Sequence, residues 1–149
     1  MGYIGSQRLK ERCKTLSFLL DFITELRDVM RYTNAPVREM LNSIIRKNDN
    51  CCDIKKAFDG QSQFDNGFQK LINGFYNQKK LTKQDIESVR GFGQKIGKTD
   101  LEGQLSSCEY YISRVNGQLE IAKSEEEKRS RLYLTSGILS GLALSLFVI

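Results

Sequence analysis

The last 18 residues, LYLTSGILSGLALSLFVI from Leu132 to Ile149, carry no charged side chain, although all 23 Lys and Arg and all 18 Asp and Glu lie in residues 1–131. A helix of that length covers about 27 Å, just short of the ~30 Å hydrocarbon core but within the range of a spanning segment. Its ten Leu, Ile, Val and Phe residues contribute on the order of −3 to −6 kcal/mol to insertion before the glycines and hydroxyls subtract their share. A buried core helix is the alternative, but such a helix keeps a polar edge, and here only Thr135, Ser136, Ser140 and Ser145 could supply one. The segment is therefore expected to cross a membrane. Gly137 and Gly141 form a GxxxG pair continued by Ser145, a small-residue face against which a second membrane helix can pack closely. Lys123, Lys128, Arg129 and Arg131 precede the apolar run, and basic residues stay on the cytoplasmic side, so the body is expected to be cytoplasmic.

That body, residues 8–131, has the composition of one helical domain. The 149 residues include a single proline, Pro36, and many Leu, Ile, Lys, Glu and Gln, a content that favours helices over a sheet. The expected fold is all-α, an antiparallel bundle of about five to six helices whose last long helix continues into the membrane. From Leu9, the residues Cys13, Leu16, Leu20, Ile23 and Met30, reinforced by Leu19 and Leu26, recur at three- and four-residue steps and predict one long helix ending near Tyr32. In TNAPVREML, Thr33 or Asn34 can cap, Pro36 suits a first turn, and Val37, Met40, Leu41, Ile44 and Ile45 supply a buried face. That helix is expected to stop at KNDN, 47–50. CCDIKKAF suggests a short helix, and Phe64, Phe68, Leu71, Ile72 and Phe75 stand at helical spacing; these aromatics read as core rather than as base-stacking groups.

GQKIGKTD, 93–100, nearly spells a phosphate-binding loop, but three residues separate Gly93 from Gly97 where four are required. A helix, not a buried strand, is expected before it. Thr82 with Asp85, and Thr99 with Glu102, instead resemble capping boxes, which start helices near Lys83 and Asp100. Gly97 closes the first of these helices in the left-handed conformation. Leu101, Leu105, Cys108, Ile112, Val115, Leu119 and Ala122 then alternate steps of four and three, a narrow apolar seam expected to pack on the first helix of the same chain. Beyond it, Glu125 with Arg129 and Glu127 with Arg131 have the spacing of i, i+4 pairs on a solvated face.

Chemistry is sparsely represented. The chain has no histidine, and Cys13, Cys51, Cys52 and Cys108 show neither a CxxC pair nor the density of a disulfide framework; they are expected to be buried or reduced thiols. Nothing groups carboxylates, lysines or thiols with a hydroxyl nucleophile or a metal site. We therefore expect no enzymatic activity, no cofactor and no small-molecule substrate. Intermixed charges disfavour nucleic acid as a partner.

VRGFGQKIGKTDLEGQ, 89–104, followed by the long helix LEIAKSEEEKRSRLYLTSGILSGLALSLFVI, resembles the stage III sporulation protein AB family, as do SQRLKER and YTNAPVREML. The likeness is strong over 89–149 and loose over 50–80. It implies a membrane component of the channel complex between mother cell and forespore, with a domain similar to the cytoplasmic helical domain of the type II secretion inner-membrane platform protein. It further implies a mother-cell membrane location around the forespore. The implied partners are the stage III sporulation protein AA ATPase and the other stage III channel subunits, with a homo-oligomer also open. Gly97, Asp100 and Gln104 match the family motif and carry over as structural or contact residues, with Thr99 inside the same helix junction. Family members begin with a membrane segment, whereas here MGYIGS leads directly into Arg8, Lys10, Arg12 and Lys14; residues 1–7 are expected to be the remnant following such a segment. The rival reading is a tail-anchored helical adaptor or regulatory protein unrelated to secretion.

Overall fold

A computed structural model describes residues 2–33, 36–47, 52–61, 63–98 and 100–148, with side chains from Gly5 onward. Among these, every regular element is a helix. In chain order they are α1 (Gly2–Tyr32), α2 (Val37–Lys47), α3 (Cys52–Phe58), α4 (Phe64–Asn77), α5 (Lys83–Val89), the single turn α6 (Phe92–Lys95) and α7 (Leu101–Val148). The all-α expectation holds, and the last helix does continue from the body into the apolar segment.

The most extensive interface joins α1 to α7. Arg12 meets Glu125 and Arg31 meets Glu109, so the two helices run antiparallel, with positions on each summing to about 137–140. Leu16, Leu19, Ile23, Leu26 and Met30 of α1 are buried against Cys108, Val115, Leu119 and Ala122 of α7. The expected seam is real but begins late. Leu101 is 43% exposed, because α1 ends at Tyr32, level with residues near 107 of α7, and offers nothing opposite the first turn. Tyr111 and Ser107 are also buried, which widens the stripe toward α6.

The aromatic residues of the middle segment form the second half of the core. Phe64 stacks on Phe68 at 6.0 Å between centroids, Phe68 meets Phe92 edge-on at 5.2 Å, and Phe92 meets Tyr111 at 5.6 Å. Such pairs add to the area each ring buries. Phe18 of α1 contacts Phe75 of α4 at 5.9 Å, closing the bundle on the other side. The helix expected from Lys83 to Gly97 is in fact two, since α5 stops at Val89 and α6 restarts at Phe92. The break turns Phe92 into the aromatic cluster, where it is fully buried.

The thiols divide by location. Cys108 is fully buried, Cys13 partly so and Cys52 exposed, and all three are free; Cys51 lies outside the described residues. Burial pushes the Cys108 thiol up to about 12, so the folded state keeps its proton where the unfolded chain loses it from pH 9.0 upward. Stability should therefore fall between those two values as pH rises, by up to about 1.4 kcal/mol per pH unit. At mildly alkaline pH we expect a maleimide to modify Cys52 readily and Cys108 only after denaturation, read by peptide mass spectrometry. Equal labelling of the two would contradict the packing of α7 on α1.

Candidate functional site: the two ends of the helical body

Two regions of the molecule combine unusual geometry with residues singled out by their sequence, and they lie at opposite ends of the bundle. The first is the junction between α6 and α7. Gly97 has φ +83°, the left-handed conformation that glycine adopts at little cost. Asp100 then caps α7: its Oδ1 accepts from the Gly103 amide at 3.1 Å, and the Gln104 amide donates to the Asp100 carbonyl at 3.0 Å. Asp100 thus stands as the cap of α7, one residue after the position expected to start this helix; Thr99 itself lies outside the described residues, as does Asn34. Asp100 and Gln104 share the first turn of α7 through that backbone bond, and Gly97 stands three residues before Asp100. Lys98 is exposed, and helices α5 and α6 precede this stretch, whereas a phosphate-binding loop follows a buried strand.

Gly97 and Gln104 line a groove of about 660 Å³ that also involves Met30, Met40, Phe64 and Ile96. It joins the end of α1 to the starts of α2, α4 and α7. Along the α7 axis it stands about 42 Å from Leu132. Replacing Asp100 with alanine should cost about 1 kcal/mol through the lost cap, and Gly97→Ala a similar amount through backbone strain. Thermal melts of the full chain in detergent check both; an unchanged melting temperature for either would remove that residue from the junction's stabilising set.

The second region lies where the body meets the apolar end of α7. At its centre, Arg12 donates from Nε to Asp85 Oδ2 at 2.8 Å and from a terminal nitrogen to Oδ1 at 2.9 Å. Asp85 is simultaneously the N3 residue of the α5 capping box. The Thr82 amide donates to Asp85 Oδ2 at 3.0 Å, and the Asp85 amide donates to Thr82 Oγ1 at 3.2 Å. The side chains of the pair are 10% and 0% exposed. Hydrogen bonding to Asp85, opposed by burial, raises the Arg12 pKa above its ordinary value. Arg12 also reaches Glu125 of α7 at 3.5 Å, so a single guanidinium ties α1, α5 and α7 together.

This ion pair was not evident from sequence. Asp85 had a sufficient local role in its cap, and Arg12 is 73 residues away. The available signal was the position of Arg12 itself, a cation set between Leu9 and Leu16 on the apolar stripe. The contact with Glu125 also corrects the expected pairing on α7. Glu125 turns to Arg12 rather than to Arg129, and neither the Glu125–Arg129 nor the Glu127–Arg131 pair forms among the described residues. Arg129 instead lies over Gly5 of α1, where an added Cβ would collide with its guanidinium.

Tyr133 still lines a pocket with Ser6, Gln7 and Lys10 of α1, and past it every described residue of α7 is exposed. The helix contains an 18-residue window of mean hydropathy 1.5, none of it buried within the chain, and Leu134, Ile138, Leu139, Leu142 and Leu146 are all exposed. Gly137, Gly141 and Ser145 share one face of this segment, and beyond the adjoining residues and backbone of α7 itself nothing comes within 4 Å of a Cβ built on either glycine. Lys123, Lys128, Arg129 and Arg131 are exposed just before it. Among the described residues no group of three or more His, Cys, Asp or Glu could hold a metal ion.

No curated protein and no solved structure matches this chain. A model of one family, Stage III sporulation protein AB, matches residues 1–149. A helical body fixed along a single long helix with an unburied apolar end is what that sequence encodes, and the chain belongs to the stage III sporulation protein AB family.

Proposed function

We propose that this chain is a non-enzymatic platform subunit of the sporulation channel complex between mother cell and forespore. In this reading residues 132–149 anchor it in the mother-cell membrane around the forespore. The body faces the mother-cell cytoplasm and docks the complex's ATPase, stage III sporulation protein AA, beside the other stage III channel subunits. The observation that carries the reading is the continuity of α7, one helix from Leu101 to Val148 that is packed in the body along its first half and bare along its apolar end. A rigid connection of this kind transmits force or position between a cytoplasmic partner and a membrane assembly.

Family membership supports a role in sporulation. The ATPase as partner rests on the resemblance to the type II secretion platform protein, and likeness of fold alone does not establish function. Crosslinking in sporulating cells, followed by purification of the full chain and identification of bound proteins, tests the proposal. Recovery of the ATPase together with channel subunits is expected. Recovery of channel subunits without the ATPase would remove the docking role, and recovery of neither would overturn the platform reading.

A further inference from the structure

The α4–α5 loop presents lysine where a helix end ordinarily places glycine. Helix α4 closes with the Lys80 amide donating to the Phe75 carbonyl at 2.9 Å and the Lys79 amide to the Tyr76 carbonyl at 3.0 Å, the paired bonds of a Schellman ending. The residue that must turn left-handed in that motif is Lys79, with φ 60°. For a residue bearing a Cβ this conformation costs roughly 1–2 kcal/mol. The fold tolerates that cost at the rim of a cleft of about 620 Å³, within the size range of small-ligand sites.

The cleft is strongly cationic. Arg8 of α1, Lys79 and Lys80 of the loop and Arg129 of α7 line it. Its one lining carboxylate, Glu125, is engaged by Arg12, whose guanidinium is itself held by Asp85. Arg8, Lys79 and Arg129 have no ion-pair partner among the described residues. Lys80 lies 6.0 Å from the Phe75 ring centroid. Leu9 and Leu81 add apolar surface and are themselves buried. Arg129 precedes Leu132 by about 4.5 Å along the helix axis, so the cleft lies at the level where a bilayer's phosphates would surround α7. The Thr82–Asp85 capping box, bonded to Arg12 through Asp85, holds the loop at that height.

We propose that this cleft binds the phosphate of an anionic phospholipid headgroup, with Arg8, Lys79, Lys80 and Arg129 as its ligands. Basic pockets beside membrane helices on the cytoplasmic side take such headgroups, and each cation near the surface contributes about 1 kcal/mol, or about fivefold in affinity. The lipid brings its phosphate to the cleft at high local concentration because its chains lie in the same bilayer as α7. Tight seating of the body on the membrane is the consequence, independent of which protein it docks.

The test uses the full chain in micelles doped with phosphatidylglycerol or phosphatidylcholine, with retained lipid counted by native mass spectrometry. Lys79→Gly relieves the left-handed backbone, so its melting temperature should equal or exceed that of the parent while phosphatidylglycerol retention falls about fivefold. The combination Arg8→Gln, Lys79→Gly and Arg129→Gln should lower retention on the order of 100-fold. Lys55→Gln with Lys56→Gln, a charge loss on α3 outside the cleft, should leave retention unchanged. Equal loss in that control would reduce the effect to general charge attraction and overturn the site. Displacement of lipid by millimolar glycerol phosphate at fixed ionic strength would assign the cleft to a soluble phosphate ester instead. Indifference to headgroup charge in every variant would also overturn the proposal and leave the cleft to an acidic protein segment.

Discussion

Asp85→Ala should destabilise the body by about 3–5 kcal/mol, because it removes both short bonds of the buried Arg12 guanidinium and leaves it only the longer contact to the half-exposed Glu125 carboxylate. The magnitude follows from exposure. Arg12 and Asp85 side chains are 10% and 0% exposed, so water cannot replace the lost carboxylate as it would at an exposed pair, where the median contribution is below about 1 kcal/mol. Asp85 also serves the α5 cap, and removing it frees the Thr82 amide and weakens the turn that positions the α4–α5 loop. Arg12→Ala should be similarly damaging, since the carboxylate then lacks its two shortest bonds. A double replacement, Arg12→Met with Asp85→Leu, should recover a large part of the loss, because a buried ion pair is costly to desolvate and apolar residues of similar volume often serve as well. Circular dichroism melts of the full chain in detergent read the effect, with a drop of about 10 °C or more expected for each single alanine variant. A change below about 2 °C would mean that the pair contributes no more than a surface contact.

The second large effect concerns the apolar end of α7, which is long and apolar enough to cross a membrane. Leu139 and Leu142 are 62% and 58% exposed in the isolated chain and lie near the middle of residues 132–149. Replacing both with arginine should cost about 6–8 kcal/mol of insertion free energy, since each exchange moves a position from about −0.5 to about +2.5–3.5 kcal/mol. That exceeds the about −3 to −6 kcal/mol available from all ten large apolar residues of the segment. The double variant is therefore expected to leave the membrane fraction that floats after alkaline carbonate extraction, whereas Leu139→Ala should remain in it. A double variant that floats like the parent would show that other parts of the chain secure it to the bilayer. Neither substitution touches the body, so the α1–α7 contacts should be unaffected.

Sequence periodicity disclosed most of the architecture, because local rules governed those elements. The apolar steps of α1, the Thr82–Asp85 box and the left-handed Gly97 each depend on residues within a turn or two of one another. What escaped notice depends on partners far apart in the chain. The Arg12–Asp85 bond could not be deduced from either residue's surroundings, and Glu125 leaves its neighbour Arg129 only because α1 brings Arg12 within reach. The division between α5 and α6 is a tertiary effect too. Val89 and Phe92 both satisfy a helical stripe, and the aromatic cluster decides that Phe92 turns inward on a new segment. The exposed Leu101 has a geometric cause, namely that α7 begins before α1 is there to cover it. At the α6–α7 junction, turn chemistry gave Gly97 as a helix exit and a helix start near Asp100, while Gln104 entered through the family resemblance alone. The basic cleft was not legible, because its lysines belong to a loop that only folding carries to the foot of α7.

Labelling of the chain in sealed vesicles tests the central claim, that a folded body stands outside the bilayer on a helix that enters it. Single cysteines at Ser124, Ser130, Ser136 and Ser140, all on exposed positions of α7, would be offered an impermeant maleimide and quantified peptide by peptide. Ready modification at positions 124 and 130 with protection at 136 and 140 is the result this account predicts. Equal modification at all four positions would contradict it.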